Sequence, residues 1–235
     1  MWIGTASQMM RWQAGQFHLY ETLVGFYAAV REAPDGRVWT ARYHTPDDLG
    51  PLCEVRESGS RCYGSQQGVP FKDAGPLAIE KSGAIWIATA NKLARWQRGQ
   101  SQVFAPAELS RGEGLEGFKS VVIDPDGSVW SGVVNGGPGL GLQHFANDVW
   151  SPVTSGEFDS STLEVTTLLF DRDGALWVGT ASRGIYRIHG SIIDHFGVGD
   201  GLSADSVRGF CEDHEGNVWL QAIDSATGFW STGHR

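Results

Sequence analysis

Short apolar runs alternate with polar breaks centred on Gly and Asp along the whole chain, and no apolar stripe recurs at helical spacing between them. The stretch from Thr162 to Gly199 shows the pattern most clearly. Val165 to Phe170 is apolar and β-branched and predicts a strand. Asp171-Arg-Asp-Gly174 predicts a tight turn, because Asp bonds its own backbone two residues on and Gly accepts positive φ. Leu176 to Thr180 predicts a second strand, with Leu176 and Val178 facing one way and Trp177 and Gly179 the other. A loop from Ala181 to Arg183, closed by Gly184, leads to a third strand at Ile185-Tyr-Arg-Ile188. His189-Gly190 turns the chain into a fourth strand at Ile192 to Phe196. Four short antiparallel strands in succession make the unit of a β-propeller, one blade.

The unit repeats. Gly, two residues and Trp recur as Pro34-Asp-Gly-Arg-Val-Trp39, Lys81-Ser-Gly-Ala-Ile-Trp86, Pro125-Asp-Gly-Ser-Val-Trp130, Asp173-Gly-Ala-Leu-Trp177 and His214-Glu-Gly-Asn-Val-Trp219, and Met1-Trp-Ile-Gly-Thr5 keeps the downstream half. Trp2, Trp39, Trp86, Trp130, Trp177 and Trp219 are therefore spaced by 37, 47, 44, 47 and 42 residues, the period of an array of supersecondary units. The expected fold is all-β: a β-propeller arc of about five to six four-stranded blades, read as one domain over 1–235. The first blade lacks its first strand, and the last has room for a third strand near Phe229-Trp230 but none for a fourth. A Trp at one fixed place in every repeat is what packing between blades demands, so these six residues are assigned to structure.

Other features have local readings. Cys53 and Cys62 fall on the third and fourth strands of the second unit. They face each other or are offset according to which residues make the intervening turn, so a disulfide and a pair of small apolar side chains are both open. Cys211 reads as a buried strand residue. Arg11, Arg95 and Arg187 share one place in their repeats, where an exposed strand Arg would cover its neighbours with its stem. Asn135-Gly-Gly-Pro-Gly139 is followed by neither Gly-Lys-Ser/Thr nor a helix, and reads as an enlarged blade loop rather than a phosphate cradle. The Asp-x-Asp-Gly stretches at 124–127 and 171–174 open like a calcium loop but lack its remaining ligands, and read as turns.

Composition narrows the class. Hydrophobic residues make up 41% and charged residues 19%, the balance of a globular chain. A net charge of −9 argues against binding a nucleic-acid backbone, which needs clustered Lys and Arg. No apolar run approaches the roughly 18–20 residues of a membrane helix, and a strand motif follows Met1 at once, so neither a membrane segment nor a signal peptide is expected. The three Cys have no metal-ligand spacing, and no metal or other cofactor is expected.

Asp200-Gly-Leu-Ser-Ala-Asp-Ser-Val-Arg-Gly-Phe-Cys-Glu-Asp-His-Glu-Gly-Asn-Val-Trp219, with Gly179-Thr-Ala-Ser-Arg-Gly-Ile-Tyr-Arg-Ile188 before it, resembles the two-component regulator propeller repeat. The resemblance is strong from about Glu164 to Trp219 and clear around Gly83 to Trp96 and Asp124 to Gly132. It implies a piece of a seven-bladed propeller from the extracytoplasmic, periplasmic sensor region of a bacterial histidine kinase or hybrid two-component protein. It further implies a small molecule or glycan as ligand and the rest of a sensor-kinase chain as partner. None of the kinase parts lies in this sequence.

The leading expectation is a ligand-sensing module without catalysis. The alternatives are a lyase- or lactonase-like propeller enzyme with a metal in its central channel, and a protein-interaction propeller. The seven His occupy unlike repeat positions, which disfavours a metal site built from equivalent loops. In an up-and-down blade, the first-to-second and third-to-fourth turns share one face, and here they are short. The second-to-third loops and the blade connections share the other face and are longer and more varied, which is where binding residues concentrate. The polar candidates there are His44, Asp47, Lys72, Asn135, Arg183, Asp200, Ser203 and Asp205. Turn chemistry also accounts for Asp200 and Asp205, whereas Arg183 has no evident turn role and is the leading ligand contact.

Overall fold

The computed structural model describes residues 1–5, 8–20, 26–43, 49–56, 59–104, 117–137, 139–147, 149–223 and 228–232, and among them there is no α-helix. The chain forms two compact units, residues 1–105 and 106–235.

The first unit holds three sheets. β1 (Trp2–Gly4), β2 (Met9–Gln13) and β3 (Gln16–Tyr20) make the first, in that order. β4 (Phe26–Glu32), β5 (Val38–Tyr43), β6 (Leu52–Val55) and β7 (Arg61–Tyr63) make the second, and β8 (Leu77–Ile79), β9 (Ile85–Ala88), β10 (Leu93–Gln97) and β11 (Gln100–Phe104) the third. In the second unit, β12 (Phe118–Ile123), β13 (Val129–Val133), β14 (Leu142–Ala146) and β15 (Val149–Pro152) form the fourth blade. A small hairpin of β16 (Thr154–Ser155) and β17 (Phe158–Asp159) follows, which the sequence pattern did not announce. β18 (Val165–Phe170), β19 (Leu176–Thr180), β20 (Ile185–His189) and β21 (Ile192–Phe196) form the fifth blade; β22 (Val207–Glu212), β23 (Val218–Ile223) and β24 (Gly228–Thr232) form the sixth. Every neighbouring pair is antiparallel and consecutive in sequence, so each sheet other than the β16–β17 hairpin is an up-and-down propeller blade.

Packing between consecutive blades explains the repeat pattern. Trp177 packs against Phe210 of the sixth blade at 6.3 Å, and Trp130 against Phe170 of the fifth at 6.4 Å. In the first unit Trp39 meets Trp96 of the third blade at 5.8 Å. The residue two places after each of these Trp is small for the same reason. A Cβ at Gly132 would overlap Val165 Cγ1 of the next blade, and one at Gly4 would lie 2.8 Å from Tyr27 Cβ. The blades can close on one another only where that position carries little or no side chain.

Two sequence expectations about cysteine meet different outcomes. Cys53 and Cys62 are directly opposed on β6 and β7 and are joined as a disulfide. Cys211 is exposed, contrary to the burial expected of it. It pairs across the ladder with Trp219, itself 37% exposed, so both belong to a blade face that no described element covers.

Candidate functional site

Four blades, the third to the sixth, contain a node built from their first turn. The residue six places before the Trp supplies a carboxylate that accepts the indole N–H. Glu80 Oε1 accepts from Trp86 Nε1 at 2.9 Å, Asp124 Oδ2 from Trp130 at 3.3 Å, Asp171 Oδ2 from Trp177 at 2.8 Å and Asp213 Oδ2 from Trp219 at 2.8 Å. The other oxygen of Asp171 accepts from the backbone of Asp173 and Ala175, so one side chain closes the turn and anchors the ring. The second blade has Ala33 at this place, and there Arg37 lies over the Trp39 ring at 5.7 Å. Indole and amide donors hold Asp213 well below the usual carboxylate range, Trp219 first and Asn217 next. The Asp-x-Asp-Gly stretches are thus turns with a second duty toward the Trp.

The shared Arg position lies directly across the ladder from the Trp. Arg11 pairs with Trp2 and sits over its ring at 5.2 Å; Arg187 pairs with Trp177 at 5.7 Å. Arg95 pairs with Trp86 and instead grips Glu80 with two bonds of 2.5 and 2.7 Å. His144 takes the same place in the fourth blade and stacks on Trp130 at 4.3 Å. Arg11, Arg187 and His144 thus cap their Trp rings, in line with a covering role, while Arg95 serves the carboxylate.

On the longer-loop face of the fifth blade, a cavity of about 350 Å³ is lined by Arg183, Tyr186, His195, Asp200 and Asp205 among others. It brings together three of the candidates read from the sequence. Asp200 Oδ2 accepts from Gly197 N–H and Asp205 Oδ1 from Val198 N–H, both at 2.9 Å, so both carboxylates serve the local 3-10 turn. Arg183 is exposed; its Nη1 donates to Thr162 Oγ1 at 3.3 Å. Its carbonyl oxygen contacts His195 Nε2 at 2.8 Å, and His195 packs on Tyr186 at 4.6 Å. Tyr186 and His195 lie on strands and were not legible as site residues, because nothing in their spacing distinguishes them from other strand positions.

The remaining candidates are dispersed. Asn135 is half-buried in the glycine-rich loop, which runs against Ser160–Thr162: Gly137 N–H donates to Ser161 O at 2.8 Å, and a Cβ at Gly141 would overlap Ser160 O. Close backbone approach is therefore the reason for these glycines. Ser203 is exposed, and Lys72 is exposed in the first unit. His44 and Asp47 lie outside the described residues.

A larger cavity, of about 470 Å³, lies in the first unit between the second and third blades. Arg37, Ser82, Gly83, Arg98 and Gly99 come from short turns, Arg61 from the start of β7, and Trp39, Tyr63 and Trp96 form the floor. None of these was a candidate in the sequence, since the short turns were assigned to the less varied face.

The sequence profile described as "Two component regulator propeller" matches residues 159–182 and 201–224. Among solved structures, the chain is similar to virginiamycin B lyase from Staphylococcus aureus, with 15% identity and a TM-score of 0.66 over 92% of this chain and 70% of that one. It is similar to a gluconolactonase from Xanthomonas campestris, with 11% identity and a TM-score of 0.60 over 92% of this chain and 75% of that one. It is also similar to the extracellular domain of a putative one component system from B. thetaiotaomicron, with 15% identity and a TM-score of 0.54 over 96% of this chain and 38% of that one. At these identities the likeness is one of fold, and it is shared by enzymes and by the extracellular domain of a putative one component system alike. No curated protein matches the sequence.

Proposed function

We propose that this chain, two segments of which match the two-component regulator propeller profile, is the non-catalytic, ligand-sensing propeller segment of a bacterial two-component sensor protein. The observation that carries the reading is the profile match over 159–182 and 201–224. The partner is then the remainder of a sensor-kinase chain and the ligand a small molecule or glycan. An extracytoplasmic, periplasmic setting is supported by the Cys53–Cys62 disulfide, a bond that persists in oxidising compartments.

We assign first ligand contact to the longer-loop face, at the cavity of Arg183, Tyr186 and His195. Arg183 is exposed there with one side-chain bond to Thr162, so the rest of its guanidinium fork faces the loop cavity's surroundings as a donor. Asp200 and Asp205 shape the wall through their backbone bonds.

The test is a thermal-shift screen of the purified chain against neutral mono- and oligosaccharides and small metabolites, with mass spectrometry of each binder after prolonged incubation. The expected result is a saturable rise in melting temperature with a binder recovered chemically unchanged, and weaker binding in Arg183→Ala at an unchanged melting temperature of the free protein. Conversion of the binder by the chain, or a screen without any binder, overturns the reading.

A further inference from the structure

The Arg-rich cavity between the second and third blades is lined largely by the short turns of those two blades. We propose that it binds an anionic ligand with a flat apolar face: a carboxylate-bearing sugar or aromatic acid. This goes beyond the sensing reading, since binding here is expected whether or not the chain signals.

The lining is unusual for this molecule. The chain has a formal net charge of −9, yet three guanidinium groups, Arg37, Arg61 and Arg98, line this cavity and, among the described residues, no carboxylate does. Two carboxylates near it are already committed. Asp35 pairs with Arg37 at 2.6 Å, and buried Glu54 pairs with Arg56 at 2.6 Å and accepts from Tyr63 Oη at 3.3 Å. Arg61 and Arg98 are exposed and make no ion pair among the described residues. Their charge is therefore available to an anion, and a guanidinium fork matches a carboxylate with two parallel bonds.

The floor is aromatic and rigid. Trp39, Tyr63 and Trp96 pack on one another with centroids 5.0 to 5.8 Å apart, and Trp96 Nε1 is fixed by Gln67 O at 2.9 Å. Arg37 lies over Trp39 at 5.7 Å and Arg61 over Tyr63 at 5.2 Å. Ring stacking holds these two side chains in place, so little side-chain entropy remains to be lost on binding. The cavity volume, about 470 Å³, falls within the roughly 300–1,000 Å³ of small-molecule sites.

The groove one blade earlier provides an internal comparison. It is built the same way, from Trp2, Tyr20, Arg11 and Arg56, but measures about 220 Å³ and is lined by Glu32 as well. The blade geometry alone thus makes a groove at this place. What sets the second groove apart is its size and its two Arg, Arg61 and Arg98, that make no ion pair among the described residues.

Digalacturonic acid and 4-hydroxybenzoate serve as probes for the sugar and aromatic sources, with neutral galactobiose and phenol as their uncharged counterparts. Isothermal titration at low salt is expected to show that at least one acid binds roughly tenfold or more tightly than its uncharged counterpart, with quenching of Trp fluorescence and weakening at high salt. In the double variant Arg61→Gln and Arg98→Gln, that affinity should fall roughly tenfold or more, the worth of a charge-assisted bond, while the melting temperature moves by no more than about 2 °C. Which acid binds names the source. Equal binding of acid and neutral probe, absence of binding by both acids, or acid binding that survives the double variant overturns the proposal. So does acid binding that Arg183→Ala abolishes, which would place the anion at the fifth-blade cavity instead.

Discussion

Glu80 shows how one carboxylate serves both turn and blade. It accepts two bonds from Arg95, one from the Trp86 indole and one from Ser82 Oγ. The Arg95 guanidinium holds its carboxyl below the ordinary value of 4.5; burial opposes this, and Ser82 and Trp86 add to it. A folded-state value below the unfolded one means that the native state binds fewer protons as acid is added. The stability Glu80 supplies is therefore complete above about pH 4.5 and is lost as pH falls through its folded-state value. The pair is partly exposed, so solvent screening keeps this contribution near about 1 kcal/mol. Glu80→Gln should lower the urea midpoint at pH 7, and its gap from the parent should close on acidification toward pH ~3. A gap that persists undiminished in acid would mean that shape, not charge, is what Glu80 contributes.

Between elements, the limiting contact is the approach of one blade to the next. Gly132 on β13 lies against Val165 on β18, with no room for a Cβ, and Val165 is fully buried. Gly132→Ala should destabilise by roughly 1–3 kcal/mol through overpacking. Val165→Ala removes the methyl groups that the new Cβ would strike. The double variant should be more stable than the sum of the two single losses predicts, with a coupling of roughly 0.5–3 kcal/mol in denaturant unfolding. Strict additivity would show that the blades do not meet through this pair.

At the scale of the whole molecule, a Trp's worth depends on which blade carries it. Trp130 and Trp219 occupy the same repeat place in the second unit and donate to equivalent Asp residues. Trp130 is 8% exposed within a cluster that includes Leu142, Leu168 and Val178, whereas Trp219 is 37% exposed. Trp130→Ala should cost on the order of 3–5 kcal/mol, and Trp219→Ala no more than about 2 kcal/mol, because it returns less area to water. Equal losses in calorimetry would contradict the view that neighbouring-blade contact sets the energy, as expected of a repeat array.

The sequence by itself determined the strands, their order and the repeating Trp. These depend on contacts between residues close in the chain: a turn closed by Asp171 and Gly174, and a ladder that pairs each strand with its immediate successor. It also put Arg183, Asp200 and Asp205 on the longer-loop face, and the structure gathers these three around one cavity. Tertiary structure alone decided turn register and what depends on how one blade sits against another. The direct opposition of Cys53 and Cys62 followed from a turn register that spacing left open. Exposure of Cys211 followed from the uncovered face it shares with Trp219. The convergence of Arg37, Arg61 and Arg98 joins two turns and a strand start from two blades, and no local pattern encodes it, because side-chain periodicity reports the face of a strand and not the distance between sheets.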